Sequence, residues 1–290
     1  FGTPLPKGLV FNDNELSVTT AEGHVLPSAI ATTVVWSDNS IKWCLVKTRV
    51  SLNKDETLRL IIKKRSEAYH SYHSDSEFVK ESETRIRIKT KNFIFELDKS
   101  RFSFIDKILS QGKCVADSGH CSLEAEPFGH LEPKISSYSY HTSYSSDGAL
   151  SVELTIVGAF RSGTGEPIAN FKASLVFDVE ADRVRCDFSL HNPRSARHVS
   201  GLWDLGDPNS LIFDSSSIGL AINDVTAISW KTAKDQPWNC LQRQLLTILQ
   251  ESSGGRNWNS PNHKDRHNRV PYTLNGFECR DENSVLHSGK

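Results

Sequence analysis

The sequence predicts an all-β protein, in which a small N-terminal β-barrel precedes a large antiparallel β-sandwich. Short runs rich in β-branched and aromatic residues recur along the 290 residues, and residues 85–89 alternate strictly between basic and apolar side chains. Turn-forming residues separate these runs, and long stretches with a helical period are scarce. Residues 241–250 fit both a helix and a strand, and we predict a strand because the neighbouring segments are β.

The first unit, residues 1–75, has short strands and turns that suit a small barrel or a sandwich. Two runs suited to strands, 30–36 and 41–46, flank a short polar turn, which predicts a hairpin. Trp36 and Trp43 fall near the mouth of that hairpin. We expect both rings to pack in the core, and a sugar-stacking platform made of the two rings is the alternative.

The second unit, residues 76–290, carries the strongest strand patterns. Before it, residues 66–83 consist mainly of polar side chains, which predicts a linker and a domain boundary near residue 75. We expect an antiparallel sandwich whose hairpin turns fall at Asp147-Gly148 and Ala181-Asp182. Its clearest predicted strands are 150–160, 171–180 and 183–190.

Charge and composition exclude some functions. A formal net charge of −1 lacks the basic excess that a nucleic-acid surface needs. No apolar run approaches the length of a bilayer-spanning helix, so we expect no membrane partner. The chain begins at Phe1 without a charged and apolar leader and contains no Met, from which we expect a fragment. We favour a secreted or periplasmic location over the cytoplasm.

The six cysteines show neither C-x-x-C spacing nor a dense disulfide pattern. Cys44 and Cys186 lie in apolar, strand-like runs, so we expect them to be buried thiols. Cys114 and Cys121 could close a short loop in an oxidising compartment, and the sequence leaves that alternative open.

The most unusual stretch is 251–276, which reads ESSGGRNWNSPNHKDRHNRVPYTLNG. It has almost no aliphatic residue, so it cannot supply a core strand or a buried helix face. Flexible linkers favour Gly, Ser and charge over aromatic residues, so we interpret this stretch as a functional loop. Its candidate site residues are Arg256, Asn257, Trp258, His263, Arg269 and Tyr272.

Two further polar stretches follow the predicted strand that ends at residue 190. Residues 191–198 read HNPRSARH, and residues 201–208 read GLWDLGDP. The rim of a sheet is where a β scaffold displays ligand-binding side chains. The alternative is that Asp204 and Asp207 only order turns and that Trp203 belongs to the core. The residues we assign to a second, substrate-binding wall are Arg194, His198 and Asp204.

These residue types suit β-elimination on a uronic acid. A cation pairs with the sugar carboxylate and acidifies the C5 proton, a base removes that proton, and an acid protonates the departing glycosidic oxygen. The roles we assign are carboxylate pairing for Arg256 and Arg269, proton transfer for His263 or Tyr272, sugar stacking for Trp258 and orientation for Asn257.

Other chemistries have weaker support in the sequence. Hydrolysis needs two facing carboxylates, for which Asp204 and Asp207 are the candidates. His263, Asp265 and His267 alternate along the chain as three potential metal ligands, but zinc sites usually have wider or helix-phased spacing. We therefore expect no metal site and no cofactor, and no residue pattern supports Ca²⁺.

Four segments, taken in order, resemble the exo-rhamnogalacturonan lyase-like family. They are FGTPLPKG at 1–8, WSDNSIKW at 36–43, HNPRSARH with GLWDLGDPNS within 191–210, and SSGGRNWNSPNH at 252–263. The resemblance implies a small N-terminal barrel of RIFT type, a central β-sandwich region and, in full-length members, a C-terminal α/α toroid. It also implies β-elimination from the end of a rhamnogalacturonan chain, by a member truncated before the toroid.

The leading hypothesis is therefore a polysaccharide lyase for pectin degradation, or a fragment of one, whose partner is an acidic oligo- or polysaccharide. The second is a non-catalytic carbohydrate-binding β protein, because a missing C-terminal part would hold half of the cleft. The third is a structural module whose polar loops brace two β domains.

Overall fold

The computed structural model describes residues 1–65, 77–145, 148–195, 197, 207–233, 235–242, 246–250 and 276–289. Within these residues the regular structure is antiparallel strand, apart from short 3₁₀ segments such as Asp13–Glu15. The predicted all-β fold class is therefore confirmed. None of the described segments forms a helix long and apolar enough to cross a bilayer.

The N-terminal barrel is built from two small sheets. Its strands are β1 (Gly2–Pro4), β2 (Leu16–Thr20), β3 (Val25–Leu26), β4 (Ser28–Val35), β5 (Ile41–Thr48) and β6 (Leu60–Lys64). They pair in the orders β1-β5-β4 and β3-β2-β6. Apolar side chains of β2 and β5 form most of the barrel core. The buried core residues are Val10, Leu16, Val18, Ile41, Cys44 and Val46.

The β4–β5 hairpin is the one that the sequence predicts. Its turn depends on Asp38, whose Oδ1 accepts hydrogen bonds from the amide of Ser40 at 3.0 Å and from its hydroxyl at 2.6 Å. Asn39 takes the left-handed conformation, with φ of 65°. Asp and Asn are favoured in turns for these two properties, so the short polar segment fixes the pairing register of the hairpin.

The expectation that both hairpin tryptophans pack in the core is wrong for Trp43. That side chain is 43% exposed on the outer face of the sheet. Its indole lies against Gly2, where an added Cβ would come within 2.6 Å of Nε1. Trp36 is half-buried, and its Nε1 donates to the carbonyl of Leu5 at 3.1 Å. Strand pairing places Trp43 between Pro4 and the bulged end of β4, on the face opposite the buried Cys44.

The sandwich has two main sheets. Among the described residues, the first contains β7 (Val79–Glu81), β8 (Arg85–Lys89), β9 (Phe93–Asp98), β10 (Lys107–Ser110), β11 (Lys113–Ala125), β12 (Gly129–Leu131) and β17 (Phe213–Ile222). The second contains β13 (Pro133–Ser145), β14 (Gly148–Arg161), β15 (Pro167–Asp178) and β16 (Arg183–His191), paired in that order. The strands predicted at 85–89, 150–160, 171–180 and 183–190 correspond to β8, β14, β15 and β16.

Two small sheets, one of two strands and one of three, follow in the described C-terminal part. They comprise β18 (Ile228–Trp230) with β19 (Asn239–Leu241), and β20 (Thr247–Gln250) with β21 (Phe277–Arg280) and β22 (Val285–Gly289). The strand prediction for 241–250 is confirmed at Leu241 and at Thr247–Gln250, whereas the described residues 242 and 246 lie outside strands.

The sandwich core lies between the two main sheets and is rich in aromatic side chains. Phe102 precedes β10, and its ring stacks on Phe171 of β15 and Phe188 of β16 with centroids 5.3 and 5.7 Å apart. Phe95 of β9 packs against Phe177 of β15 at 5.1 Å. These contacts join strands that are distant in sequence, so the core ties the two sheets together.

The cysteines are free thiols in the structure. Cys44 is buried as expected, whereas Cys186 is only half-buried, and Cys121 is also buried. Burial, together with the nearby Cys186, raises the pKa of Cys121 to about 12. Cys114 and Cys121 both lie on β11, so a strand rise of about 3.3 Å per residue separates their Cα atoms by roughly 20 Å. That separation far exceeds the reach of a disulfide, so the alternative of a Cys114–Cys121 loop is wrong.

Asp182 links the two sheets at the turn between β15 and β16, where the sequence predicts a hairpin turn. Its carboxylate accepts from the Thr90 hydroxyl at 2.6 Å, from the Asn92 amide nitrogen at 3.0 Å and from the Asn92 side chain at 2.5 Å. Partial burial opposes ionisation, but these hydrogen bonds outweigh it and lower the pKa of Asp182 below 3.8.

We expect Asp182→Ala to lower the free energy of unfolding at pH 7 by about 1–2 kcal/mol, because three hydrogen bonds to a charged group are lost. Because the pKa of Asp182 is lower in the folded protein, its contribution to stability is complete above the unfolded-state pKa of 3.8 and is lost as the pH falls through the folded-state pKa. The difference in free energy of unfolding between wild type and variant, measured by urea unfolding, should therefore decrease below pH 3.8. Asp182→Asn should lose less unfolding free energy, because Asn tolerates the positive φ and keeps one acceptor. An equal loss for both variants would contradict the stabilising role of these hydrogen bonds.

Candidate functional site

Most of the predicted site residues lie outside the described residues. These are the proposed catalytic and sugar-binding side chains of the long loop, together with two of the second wall: Arg256, Asn257, Trp258, His263, Arg269, Tyr272, His198 and Asp204. The predicted linker around residue 75 and the His263, Asp265, His267 alternation also lie outside. The convergence of these groups on one cleft therefore stays a prediction.

Arg194 is the predicted site residue that the structure describes, and it is exposed on the loop that follows β16. The Asn192 side chain accepts from the Arg194 amide at 3.1 Å and donates to the carbonyl of Asn209 at 2.8 Å. The Asn209 side chain in turn donates to the carbonyl of Ser195 at 3.1 Å. The two asparagines therefore join the segments before and after the gap at 198–206 into one loop at the sheet rim.

Asp207 does not behave as an exposed member of a hydrolytic carboxylate pair. It is 4% exposed, and its carbonyl accepts from the amide of Ser210 in a turn. The Arg197 amide donates to the carbonyl of the next residue, Pro208, at 2.9 Å. This geometry favours the alternative in which the Asp207-Pro208 segment orders the loop.

The described residues do form a cleft, at the junction between the barrel and the second sheet of the sandwich. Its volume is about 530 Å³. The end of β5 and the residues after it form one wall, and the ends of β14, β15 and β16 form the other. The side chains that matter for its chemistry are Lys47, Arg49, Ser151, Asp178 and Arg183.

Strand pairing explains why one wall of this junction cleft is polar. Ser143, Ser151, Asp178 and Arg183 occupy one row across β13, β14, β15 and β16. Val152 and Phe177 lie in the adjacent row and are buried in the core, so the polar row points to the opposite face. The barrel covers this face at one end of the sheet.

Lys47 holds the barrel against the sandwich. Its Nζ lies 3.3 Å from a carboxylate oxygen of Glu153 and donates to the Ser143 hydroxyl at 3.1 Å. Both partners belong to the outer face of the second sheet. Because Lys47 is the next-to-last residue of β5, this contact positions the barrel strand end over the polar row.

Two guanidinium groups share one carboxylate in the junction cleft. Asp178 Oδ2 accepts from Arg183 at 3.1 Å, whereas Asp178 Oδ1 lies 4.0 Å from Nη2 of Arg49. The other acidic residue of the lining, Glu180, pairs with Lys91 at 3.2 Å. The cations on this surface are thus only partly neutralised, an arrangement suited to binding an anion.

Two buried polar atoms of the cleft lack hydrogen-bond partners among the described residues. They are Nη2 of Arg49 and Oγ of Ser151. Buried donors are normally satisfied by protein, water or a ligand, so these two atoms are the unsatisfied donors of the cleft lining.

Sequence reasoning missed the junction cleft because its residues come from four strands and form no local motif. The one available signal was the basic pair Lys47 and Arg49 at the end of a predicted strand. Within the described segments no group of three or more His, Cys, Asp or Glu side chains could hold a metal ion.

Comparison with known protein families gives a match for the first part of the chain. No curated protein matches the sequence. Residues 1–62 match the PcRGLX-like N-terminal RIFT barrel domain, which covers 62 of the 290 residues. The resemblance inferred from the sequence is therefore confirmed for the N-terminal barrel at residues 1–62.

Proposed function

We propose that this chain is part of a polysaccharide lyase that cleaves rhamnogalacturonan or a related acidic glycan by β-elimination. The observation that carries the proposal is the match of residues 1–62 to the barrel domain of a rhamnogalacturonan lyase-like family. The all-β scaffold and the partly neutralised cations of the junction cleft add support, because an acidic glycan presents carboxylates to such groups.

In this proposal the long loop supplies the chemistry. Arg256 and Arg269 neutralise the uronate carboxylate and so acidify the C5 proton. His263 or Tyr272 moves the protons, because both side chains can do so near neutral pH once their environment tunes them. Trp258 provides a stacking surface for the sugar. Asn257 orients the sugar, and Arg194, His198 and Asp204 line the opposite wall.

The test is an absorbance assay for the unsaturated uronate that β-elimination leaves. The purified chain should generate this absorbance from rhamnogalacturonan, and His263→Ala or Tyr272→Phe should lower the initial rate at least about 100-fold if that residue transfers the proton. Lys172→Gln, an exposed substitution on the second sheet, is the control and should leave the rate unchanged. No absorbance rise with any acidic polysaccharide would refute lyase activity for this chain.

A carbohydrate-binding role without catalysis is the second candidate function. The composition of the junction cleft favours it, because the described lining residues include Lys and Arg but no His or Tyr. Such a lining can hold an anion but lacks the groups best suited to proton transfer near neutral pH. Retained glycan binding with no turnover would select this function over the lyase.

A further inference from the structure

We propose that the junction cleft is a binding subsite for a sugar carboxylate, separate from the long loop and held by Arg49 and Ser151 with Lys47 at its edge. The identity of the ligand as an acidic sugar rests on the proposed function. The site itself rests on the charges, burial and unpaired donors of the cleft.

The charge distribution points to an anion. Arg183 donates to Asp178 at 3.1 Å, whereas Arg49 reaches the same carboxylate only at 4.0 Å, which is beyond hydrogen-bond distance. Arg49 therefore retains a donor nitrogen that Asp178 does not satisfy. A ligand carboxylate beside Nη2 supplies the acceptor and completes the neutralisation of the two guanidinium groups.

The hydroxyl of Ser151 gives the site a second donor from the opposite wall. Ser151 is 8% exposed, and its Oγ is buried without a hydrogen-bond partner among the described residues. It lies on β14 opposite Ser143, which receives the hydrogen bond from Lys47. One wall thus offers a hydroxyl and the other a guanidinium, which together suit the two oxygens of a carboxylate.

The size and composition of the cleft indicate a sugar acid. A volume of about 530 Å³ lies within the usual range for small-molecule sites. The described lining contains no aromatic ring, so a neutral sugar would lack a stacking surface there. Recognition must then come from charge and hydroxyl contacts, which should favour uronates over neutral sugars.

Calorimetric titration of the full chain tests the assignment with three probes. We expect D-galacturonate to bind and D-galactose to bind at least about 10-fold more weakly, because galactose lacks the carboxylate that accepts charged hydrogen bonds. Inorganic sulfate tests for a general anion site. Binding of sulfate without galacturonate, or equal binding of galactose and galacturonate, would overturn the proposal.

Two variants locate the binding. Arg49→Gln and Ser151→Ala should each weaken galacturonate binding about 10-fold or more. The matched control is Lys172→Gln, which removes one cation from the same strand and face as Asp178, roughly 20 Å away, and should change affinity less than 2-fold. Unchanged affinity in both cleft variants would place galacturonate elsewhere and refute the subsite.

A stability measurement separates loss of binding from loss of folding. Ser151→Ala removes a buried hydroxyl that has no partner among the described residues, so the ligand-free variant should melt at or above the wild-type Tm. A lower Tm would show that the hydroxyl has a structural role and would contradict the assignment.

The subsite and the lyase activity can fail separately. Galacturonate binding that depends on Arg49 and Ser151, without any cleavage of acidic glycans, would refute the proposed lyase and keep the subsite. Cleavage of rhamnogalacturonan, combined with unaltered galacturonate binding in both variants, would refute the subsite and keep the proposed lyase.

Discussion

Replacing Phe171 by alanine is expected to lower the free energy of unfolding by about 3–5 kcal/mol, because truncating a buried phenylalanine loses apolar burial and leaves a cavity. Phe171 is 2% exposed at the centre of an aromatic cluster formed with Phe102, Phe160 and Phe188. Its ring stacks on Phe102 and Phe188 and meets the edge of Phe160, with centroids between 5.3 and 5.8 Å away. The variant therefore removes contacts within the second sheet and with Phe102, which lies in the segment between β9 and β10 of the first sheet.

The surroundings of Phe171 leave little room for the site to collapse. The ring also lies against Gly158 on the paired strand, where an added Cβ would come within 2.6 Å of Cε1. Gly158 has no side chain that can turn into the space left by the ring. We therefore expect the cost to fall in the upper part of the range for such truncations.

Urea unfolding followed by far-UV circular dichroism measures this effect, and the Tm should fall by roughly 10 °C. Phe128→Ala is the matched control, because Phe128 is 39% exposed at the turn before β12, and its loss should be below about 1 kcal/mol. Similar losses for the two variants would show that the aromatic cluster is not the centre of the core.

Local patterns predicted the strands well because alternation and turn chemistry are short-range properties. The prediction for Arg85–Lys89 coincides with β8, and those for 171–180 and 183–190 differ from β15 and β16 by only a few residues. The turn at Asp182 followed from its residue type, since Asp tolerates the positive φ of 50° found there.

The side of a strand that faces the core is less accessible to sequence reasoning. Trp43 and Cys44 are adjacent on β5, and either one could have pointed inwards. The choice depends on which partner strand supplies space, and Gly2 on β1 supplies it on the outer face. The large ring therefore packs outside, although a buried position was the better expectation from hydrophobicity.

The same limit explains why the junction cleft was not predicted. Arg49, Ser151 and Asp178 are ordinary residues near strand ends, and they come together in one cleft only because the barrel docks on the second sheet. By contrast, the long loop attracted attention because its composition is unusual, but composition does not give the positions of its side chains. Arg194 is at the expected sheet rim, and its backbone, not its side chain, is fixed by the Asn192 contact.

Placing alanine at Gly119 is expected to cost at least about 3 kcal/mol of unfolding free energy, because the new methyl group would overlap with backbone atoms. An added Cβ would lie 1.8 Å from the carbonyl oxygen of Ile105 and 2.5 Å from that of Ser103. Gly119 lies in the irregular part of β11, where the pairing register with β17 shifts. Two backbone segments therefore cross at a distance that only glycine permits.

Relief of this overlap requires the segment 103–105 to move, and its neighbours hold it in place. Ile105 is 2% exposed, and Phe102, at 1%, belongs to the aromatic cluster. Shifting the carbonyl groups would pull both side chains out of the core. Gly163→Ala is the control, because no atom lies within 4 Å of its added Cβ, and it should be neutral or stabilise the protein by up to about 1 kcal/mol. If the two alanine variants unfold at the same urea concentration, the close crossing at Gly119 does not exist in the folded protein.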